Sequence, residues 1–110
     1  MAKPQKALFI VLAKISPEKE AAFNKWYNEE HVPRVLERHP GVLTGRRYKI
    51  LSGMDEYQYM AMYEYESLEC LDKNQNSEIT QQLIREYDAQ FGKGGRGHVR
   101  AVEVKSLIVG

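Results

Sequence analysis

The sequence predicts an α+β fold in which helices cover one face of an antiparallel sheet. Three observations predict it: hydrophobic patterning that alternates between strand and helix periods, Gly- and Pro-containing turns between the segments, and extended segments that are apolar on both faces. The chain has 110 residues, of which 43% are hydrophobic and 28% are charged, the size and balance of one globular domain. We therefore expect a single domain over residues 1–110 and exclude a disordered protein.

The first part of the chain predicts one strand followed by one helix. Residues 6–14 form an apolar run rich in β-favouring types, and the run ends before Ser16 and Pro17, which can cap and open a helix. From Pro17 onwards, apolar residues recur at three- and four-residue spacing. Because Pro33 lacks an amide donor, we expect this helix to end near His31, with a short helical segment after it.

The second part predicts a hairpin, a broken helix and a last strand. Residues 42–51 and 57–65 are extended-type runs joined by a short polar connection that contains Gly. Ser67 starts a helical pattern that a polar stretch interrupts, and Ser77 offers a fresh cap for a second piece. A glycine-rich stretch ends that helix, and residues 98–109 return to a strand pattern.

The predicted order βαββαβ is the split βαβ, or ferredoxin-like, arrangement, with a four-stranded antiparallel sheet and both helices on one face. The first strand is apolar on both sides, with Leu8, Ile10 and Leu12 on one and Phe9, Val11 and Ala13 on the other. A monomer would expose on the order of hundreds of Å² of apolar sheet, which soluble monomers rarely tolerate. We therefore expect a homodimer that packs sheet against sheet.

Charge and cysteine content restrict the partners and the compartment. Sixteen Lys and Arg against fifteen Asp and Glu give a net charge of +1, and these charges are spread along the chain, so we predict neither nucleic-acid nor membrane binding. Cys70 is the only cysteine, which excludes an internal disulfide and fits a reducing compartment. The apolar run near the start is too short to cross a membrane and precedes no cleavage site, so we expect a cytoplasmic protein.

A family resemblance rests on residues 23–50, about a quarter of the chain. The residues that carry it are Trp26-Tyr27, Glu29-Glu30, His31, Val32, Pro33, Pro40-Gly41 and Arg47-Tyr48. This segment resembles the EthD-like group of the dimeric α/β-barrel superfamily. The resemblance implies a ferredoxin-like dimer with a small pocket between sheet and helices. Relatives in the wider superfamily include cofactor-free oxygenases, polyketide cyclases, isomerases and decarboxylases that act on small, often aromatic molecules.

His31 and Tyr27 are the candidate catalytic residues. Four-residue spacing from Phe23 through Tyr27 places His31 on the sheet-facing side of the helix. The helix dipole there favours the protonated imidazole and burial favours the neutral one, so we expect the group to titrate near neutral pH, as a general acid or base does. Tyr27 can donate a hydrogen bond to a carbonyl or phenolate. The alternatives are a buried histidine bonded to a backbone carbonyl at the Pro33 break, and core packing for Tyr27.

Six further residues are candidates for substrate binding: Phe23, Trp26, Arg47, Tyr48, Tyr63 and His98. We expect Phe23 and Tyr48 to line one cavity together with the two candidate catalytic residues. For Trp26 the alternative is packing, and for the tyrosines of the third strand it is core or interface use. For Arg47 it is a salt bridge to Glu29, Glu30 or Glu64.

Other chemistries lack their sequence patterns. The glycine-rich loop of residues 92–98 matches no phosphate-binding motif, and there is neither a GxSxG elbow nor a pair of histidines at helical spacing. We predict no metal and no cofactor. Together with the candidate residues, the family resemblance implies a small cofactor-independent enzyme, of oxygenase, cyclase, isomerase or lyase type, acting on an apolar or aromatic carbonyl, phenol or lactone-like metabolite. The alternatives are a non-catalytic or stress-related dimer that binds small hydrophobic ligands, and a structural interaction module.

Overall fold

The computed structural model describes residues 5–54, 56–105 and 107. Its elements are β1 (Ala7–Ala13), α1 (Glu20–Trp26), α2 (Val32–Arg38), β2 (Val42–Lys49), β3 (Tyr59–Tyr65), α3 (Leu68–Gln75), α4 (Glu78–Phe91) and β4 (Arg96–Val102). A 3₁₀ turn, Pro17–Lys19, precedes α1. The four strands form one antiparallel sheet in the order β2-β3-β1-β4. The predicted ferredoxin-like arrangement is confirmed.

The first helical region does not end at His31, contrary to the sequence expectation. A π-helical segment, Tyr27–His31, joins α1 directly to α2, and its last turn closes with a hydrogen bond from the Val32 amide to the Tyr27 carbonyl. Pro33 lies at the start of α2. In a regular α-helix a proline ring collides with the carbonyl four residues earlier, and the wider π turn relieves that collision. The proline therefore widens the helix instead of ending it.

The two predicted serine caps divide the second helical region. The Ser67 side chain accepts a hydrogen bond from the Cys70 amide at the start of α3, and Ser77 accepts one from the Thr80 amide at the start of α4. The last strand begins at Arg96, earlier than expected, and ends at Val102. Of its predicted continuation, residues 106, 108 and 109 lie outside the described residues. In the described part of the chain, no helix is both long and apolar enough to span a bilayer.

The odd-numbered residues of β1 and β3 face the helices. Val11 pairs with Ala61 across the ladder, both are buried, and both belong to the main apolar core with Tyr63 and Tyr65. The three tyrosines of β3, Tyr59, Tyr63 and Tyr65, therefore lie between the sheet and the helices. Sequence alternation alone did not determine which face of the sheet they occupy.

The even-numbered residues of the same strands form the opposite face of the sheet. Three cross-strand rows define it: Thr44–Glu64–Leu8–Ala101, Arg46–Met62–Ile10–Val99 and Tyr48–Met60–Leu12–Gly97. On its two central strands, β1 and β3, every position of these rows except Glu64 is apolar, while the helix residues of the buried core cluster with the odd-numbered strand residues of the other face. The prediction of an apolar second face is thus met by the observed register.

Candidate functional site

A cavity of about 360 Å³ lies between the π-helical segment, α4 and the helix-facing side of the sheet. All three histidines of the sequence line it, although they are far apart in the chain: His31, His39 and His98. Four tyrosines line it as well, namely Tyr27, Tyr63, Tyr65 and Tyr87, and its apolar wall comes from Phe9, Val11, Val35, Leu83 and Ile84. The site is therefore an apolar pocket that contains several groups able to exchange or donate protons.

The π-helical segment brings its first and last residues together on this cavity. The ring centroids of Tyr27 and His31 lie 4.8 Å apart with 71° between their planes. On its other side the imidazole stacks on Trp26, again at 4.8 Å, with 21° between the planes. Wide π turns of this kind occur often at functional sites. Here the turn fixes the histidine ring between two aromatic side chains.

The His31 imidazole is neutral at physiological pH. Burial lowers its pKa to about 4, although the nearby Glu86 carboxylate favours the charged form. This is lower than the near-neutral value that the sequence predicts, because desolvation outweighs the helix dipole. The Nδ1 atom is buried and has no hydrogen-bond partner among the described residues. A neutral ring with an unpaired buried nitrogen can accept or donate one hydrogen bond to a ligand.

Tyr27 and Tyr63 remain protonated at physiological pH. Burial raises the pKa of both phenols, and the two lie close enough that each alters the other's pKa. The Tyr63 hydroxyl is buried and makes no hydrogen bond within the described part of the structure. Both residues therefore offer O–H donors to an acceptor atom in the cavity.

His39 belongs to the site but sequence reasoning placed it only in a turn. Its Nε2 lies 3.0 Å from the Thr80 hydroxyl, which donates its own proton to the Asn74 carbonyl at 2.5 Å. The Nε2 atom must therefore carry a hydrogen, and Nδ1 accepts from the Tyr65 hydroxyl at 2.7 Å. Only the packing of α4 against the sheet brings these residues together, so the local sequence carries no signal for the contact.

Three of the candidate binding residues lie elsewhere. Tyr48 does not line the cavity, because its pairing with Met60 puts it on the opposite face of the sheet. Phe23 is fully buried in the aromatic core, where it contacts Tyr27 instead of the cavity. Trp26 is buried behind His31 and reaches the site only through that stack. The expectation that Phe23 and Tyr48 line the cavity is therefore wrong.

Arg47 lies behind Tyr27, on the side away from the cavity. Its guanidinium carbon is 4.6 Å from the centroid of the Tyr27 ring, and its N–H groups donate to Asn28 at 2.8 Å and to Asn24 at 3.0 Å. Arg47 is not among the residues that line the cavity, and within the described residues it forms no salt bridge to Glu29, Glu30 or Glu64. Its guanidinium donates hydrogen bonds to the side-chain oxygens of these two asparagines and packs over aromatic rings.

The edge strand β4 supplies the remaining polar wall. His98 lines the cavity and stacks on Phe9, with centroids 5.4 Å apart and 6° between planes. Arg96 is paired with Asp88 at 2.6 Å, and its guanidinium lies over the Tyr87 ring. Burial and Arg96 lower the pKa of His98, which favours its neutral form.

Among the described residues, no three His, Cys, Asp or Glu side chains converge as metal ligands would.

The fold and the cavity together define a ferredoxin-like protein with a ligand-sized pocket between its sheet and its helices. Within that class, the chain belongs to the DUF4286 family, described as a domain of unknown function, whose profile matches residues 6–102. No curated protein sequence matches the chain.

Solved structures with low sequence identity share this fold. An ethyl tert-butyl ether D (EthD) family protein from Bacillus halodurans C-125 has 17% identity and a TM-score of 0.69, covering 91% of this chain and 99% of that one. The hydroxynitrile lyase from Passiflora edulis has 10% identity and a TM-score of 0.66, covering 96% and 99%. A dimeric protein of unknown function from Bacteroides fragilis NCTC 9343 has 13% identity and a TM-score of 0.62, covering 89% and 96%. The resemblance to EthD-like proteins is confirmed as a likeness of fold.

Proposed function

We propose that the protein is a small cofactor-independent enzyme that performs acid–base chemistry on an apolar or aromatic molecule carrying a carbonyl or phenol oxygen. One observation carries the proposal: two buried polar atoms without partners, His31 Nδ1 and Tyr63 Oη, belong to residues that line one cavity. Leaving a buried polar group unpaired costs roughly 1–3 kcal/mol. A ligand that bonds both atoms would recover that cost.

In this proposal His31 moves a proton and Tyr27 polarises the ligand oxygen. A neutral imidazole can take a proton from a C–H or O–H group that an adjacent hydrogen bond has acidified. Because the pKa of His31 is about 4, the imidazole is a weak base that returns its proton easily. Tyr27 stays protonated, and its ring lies 4.8 Å from the imidazole, so both groups can reach neighbouring atoms of one ligand.

The size and lining of the cavity support a small substrate. A volume of about 360 Å³ lies at the lower end of the usual range for ligand pockets, roughly 300–1,000 Å³. Aromatic and aliphatic side chains form most of the wall, which favours an apolar or aromatic skeleton. One protein of similar fold is a hydroxynitrile lyase, which favours an enzyme over an interaction module.

The same fold supports a homodimer that packs through the open face of the sheet. The row Met62–Ile10–Val99 at the centre of that face is apolar, whereas the helix residues of the described core cluster with the odd-numbered strand residues of the opposite face. Structurally similar proteins from Bacteroides fragilis and Jannaschia sp. CCS1 are dimeric. A second copy covering this face would remove apolar surface from water, which would stabilise the dimer by about 25 cal/mol for each Å² of apolar surface buried.

The test compares the variants His31→Ala and His31→Gln on a panel of small aromatic carbonyl compounds and phenols. We expect both variants to fold and dimerise as the wild type does and to lose turnover by roughly a hundredfold or more, the scale for a positioned acid or base. Glutamine keeps a hydrogen-bonding side chain but exchanges no proton near neutral pH, so His31→Gln should still bind ligand. His98→Gln is the comparison variant, since it removes a second imidazole that lines the same cavity.

Three outcomes would contradict the proposal. Full turnover in both His31 variants would exclude proton transfer by this residue. Equal binding of apolar ligands to wild type and variants, without turnover of any compound, would favour a dimer that sequesters small hydrophobic molecules. A loss of stability in His31→Ala that His31→Gln repairs would assign His31 a structural role.

A further inference from the structure

Arg47 is a half-buried positive charge with no carboxylate partner in the described part of the chain. Its two side-chain hydrogen bonds go to neutral amides, and its Nε atom is buried without a partner. Burying a charge without an opposite charge is costly. Simple attachment of β2 to α1 does not require a charge, because an apolar side chain of similar length would pack there without that cost.

The guanidinium is instead surrounded by aromatic faces. Its carbon lies 4.6 Å from the Tyr27 centroid, 5.3 Å from that of Tyr59 and 5.4 Å from that of Phe23. A cation over a ring within about 6 Å is attracted to the negative face of the ring. Of the three rings, Tyr27 is the nearest and is the one that lines the cavity.

The two asparagines fix the cation in this position. Asn24 and Asn28 lie one helical turn apart, and each accepts one N–H from a different terminal nitrogen of the guanidinium. Asn24 in turn donates to the Tyr59 hydroxyl at 3.0 Å, and that hydroxyl donates to Glu20 at 2.5 Å. The plane of the guanidinium is therefore held by a network outside the cavity, while its charge acts on the Tyr27 ring inside it.

We propose that Arg47 is a positioning residue that acts through Tyr27, making the Tyr27 hydroxyl a site for an anionic oxygen, so that the cavity prefers phenolate or enolate ligands to their neutral forms. The choice of ligand class rests on the proposed function, whereas the action of Arg47 on Tyr27 does not. A positive charge behind the ring draws electron density from the phenol and strengthens its O–H as a donor.

Several other groups also act on Tyr27, and the experiment must separate them from Arg47. Tyr63 from β3, Tyr87 from α4, Arg96 from β4 and His31 on the same helix all face it or lie nearby. Burial is the largest influence and raises the pKa of Tyr27, Tyr87 raises it further, and Arg47 lowers it, ahead of Arg96. Only substitution of Arg47 removes its charge while leaving these neighbours in place.

The first arm of the experiment needs no ligand. A ring-fluorinated tyrosine, whose phenol is more acidic than that of tyrosine, is placed at position 27, and its ¹⁹F signal is titrated in wild type, Arg47→Met and Arg47→Lys. We expect the pKa of this phenol to rise in Arg47→Met and to stay near the wild-type value in Arg47→Lys, which keeps the charge. Arg85→Met, an exposed change of the same net charge, should leave it unmoved. An unchanged pKa in a folded Arg47→Met would overturn the inference.

The second arm measures the affinity for a series of para-substituted phenols above and below their own pKa values. The ratio of phenolate to phenol affinity should fall about tenfold in Arg47→Met and in Tyr27→Phe, and Arg47→Lys should retain most of it. An equal loss of affinity for both forms in Arg47→Met would mean a purely structural role and would overturn the inference. If no phenol binds the wild type while the ¹⁹F shift is present, the ligand class and the proposed function fail, and the action of Arg47 on Tyr27 is upheld.

Discussion

The Trp26 indole covers one face of the His31 imidazole, with ring centroids 4.8 Å apart and 21° between the ring planes. The tryptophan is itself buried, so it replaces water on that face with an apolar surface. An imidazolium loses hydration there, and this cost outweighs the favourable influence of the Glu86 carboxylate, while Arg34 nearby also disfavours the charge. The stack is therefore a physical cause of the low pKa of His31. As a result, protonation of this residue lowers the free energy of unfolding.

The first prediction is that the protein loses stability as the pH falls from about 6.5 to about 4. The folded-state pKa of His31, about 4, lies below the unfolded value of 6.5, so the unfolded chain binds more protons in this window. The stabilisation is complete above pH 6.5 and decreases as the pH falls through the window, by about 3 kcal/mol at most. Burial lowers the pKa of His39 and His98 too, and these residues add to the effect in the same direction.

Urea unfolding at a series of pH values measures this dependence, and the His31 ring signals in NMR report its pKa directly. The control is His31→Gln, which has no titrating group at this position and should show a shallower decline over the same window. A His31 pKa near 6.5 in the folded protein would contradict the prediction and would restore the near-neutral titration that the sequence suggests.

The second prediction concerns the open face of the sheet. Met62→Lys places a charge in the central row of that face, opposite Ile10, and should convert a dimer into a monomer while the fold is retained. Light scattering after size exclusion measures the mass, and circular dichroism checks the fold. Gln81→Lys, an exposed change on α4, adds the same charge on the helical side and should leave the dimer intact. A wild-type monomer at micromolar concentration would refute the proposed assembly.

Local signals in the sequence were sufficient to predict the order of the elements. Ser67 and Ser77 are helix caps whose hydrogen bonds are made within three residues, so their sequence pattern determined the break between α3 and α4. The strand β1 was recognisable because a short apolar run of β-favouring residues has few other structures available to it. The placement of His31 towards the sheet follows from helical spacing alone.

Features that depend on distant residues were not predictable in the same way. Arg47 and Tyr48 are neighbours on a strand and must point to opposite faces, but a register irregularity between Val42 and Thr44 precedes them, so alternation along β2 does not fix which one faces the helices. The contacts of His39 depend on α4, some forty residues further along the chain. Such contacts are decided by packing, which the local pattern does not encode.

The third prediction is that Gly41→Ala destabilises the protein. Gly41 has a φ of +82°, a left-handed conformation that L side chains rarely adopt, and a Cβ built there would lie 2.1 Å from the Cys70 Sγ. Strain and collision together should lower the free energy of unfolding by about 2–4 kcal/mol. Gly53→Ala is the matched control, since its φ is also positive but no atom of the described residues lies within 4 Å of the added carbon.

Thermal unfolding of the two glycine variants separates the collision from the backbone strain. Cys70→Ala in the Gly41→Ala background should restore part of the stability, because it removes the sulfur atom but not the strain at φ +82°. Equal losses in the two single glycine variants would show that the contact with Cys70 contributes nothing.

The last prediction concerns the chain of hydrogen bonds through His39. Because Thr80 donates its proton to the Asn74 carbonyl, the imidazole is fixed with hydrogen on Nε2, and only this tautomer can accept from Tyr65. Nitrogen-15 chemical shifts of His39 should therefore show the Nε2–H tautomer. Tyr65→Phe and Thr80→Val should each cost about 1–2 kcal/mol of stability, and the double variant should cost less than their sum, since His39 couples the two hydroxyls. Strict additivity would mean that the two hydrogen bonds form independently. A substantial Nδ1–H population would mean that the imidazole can turn within the cavity.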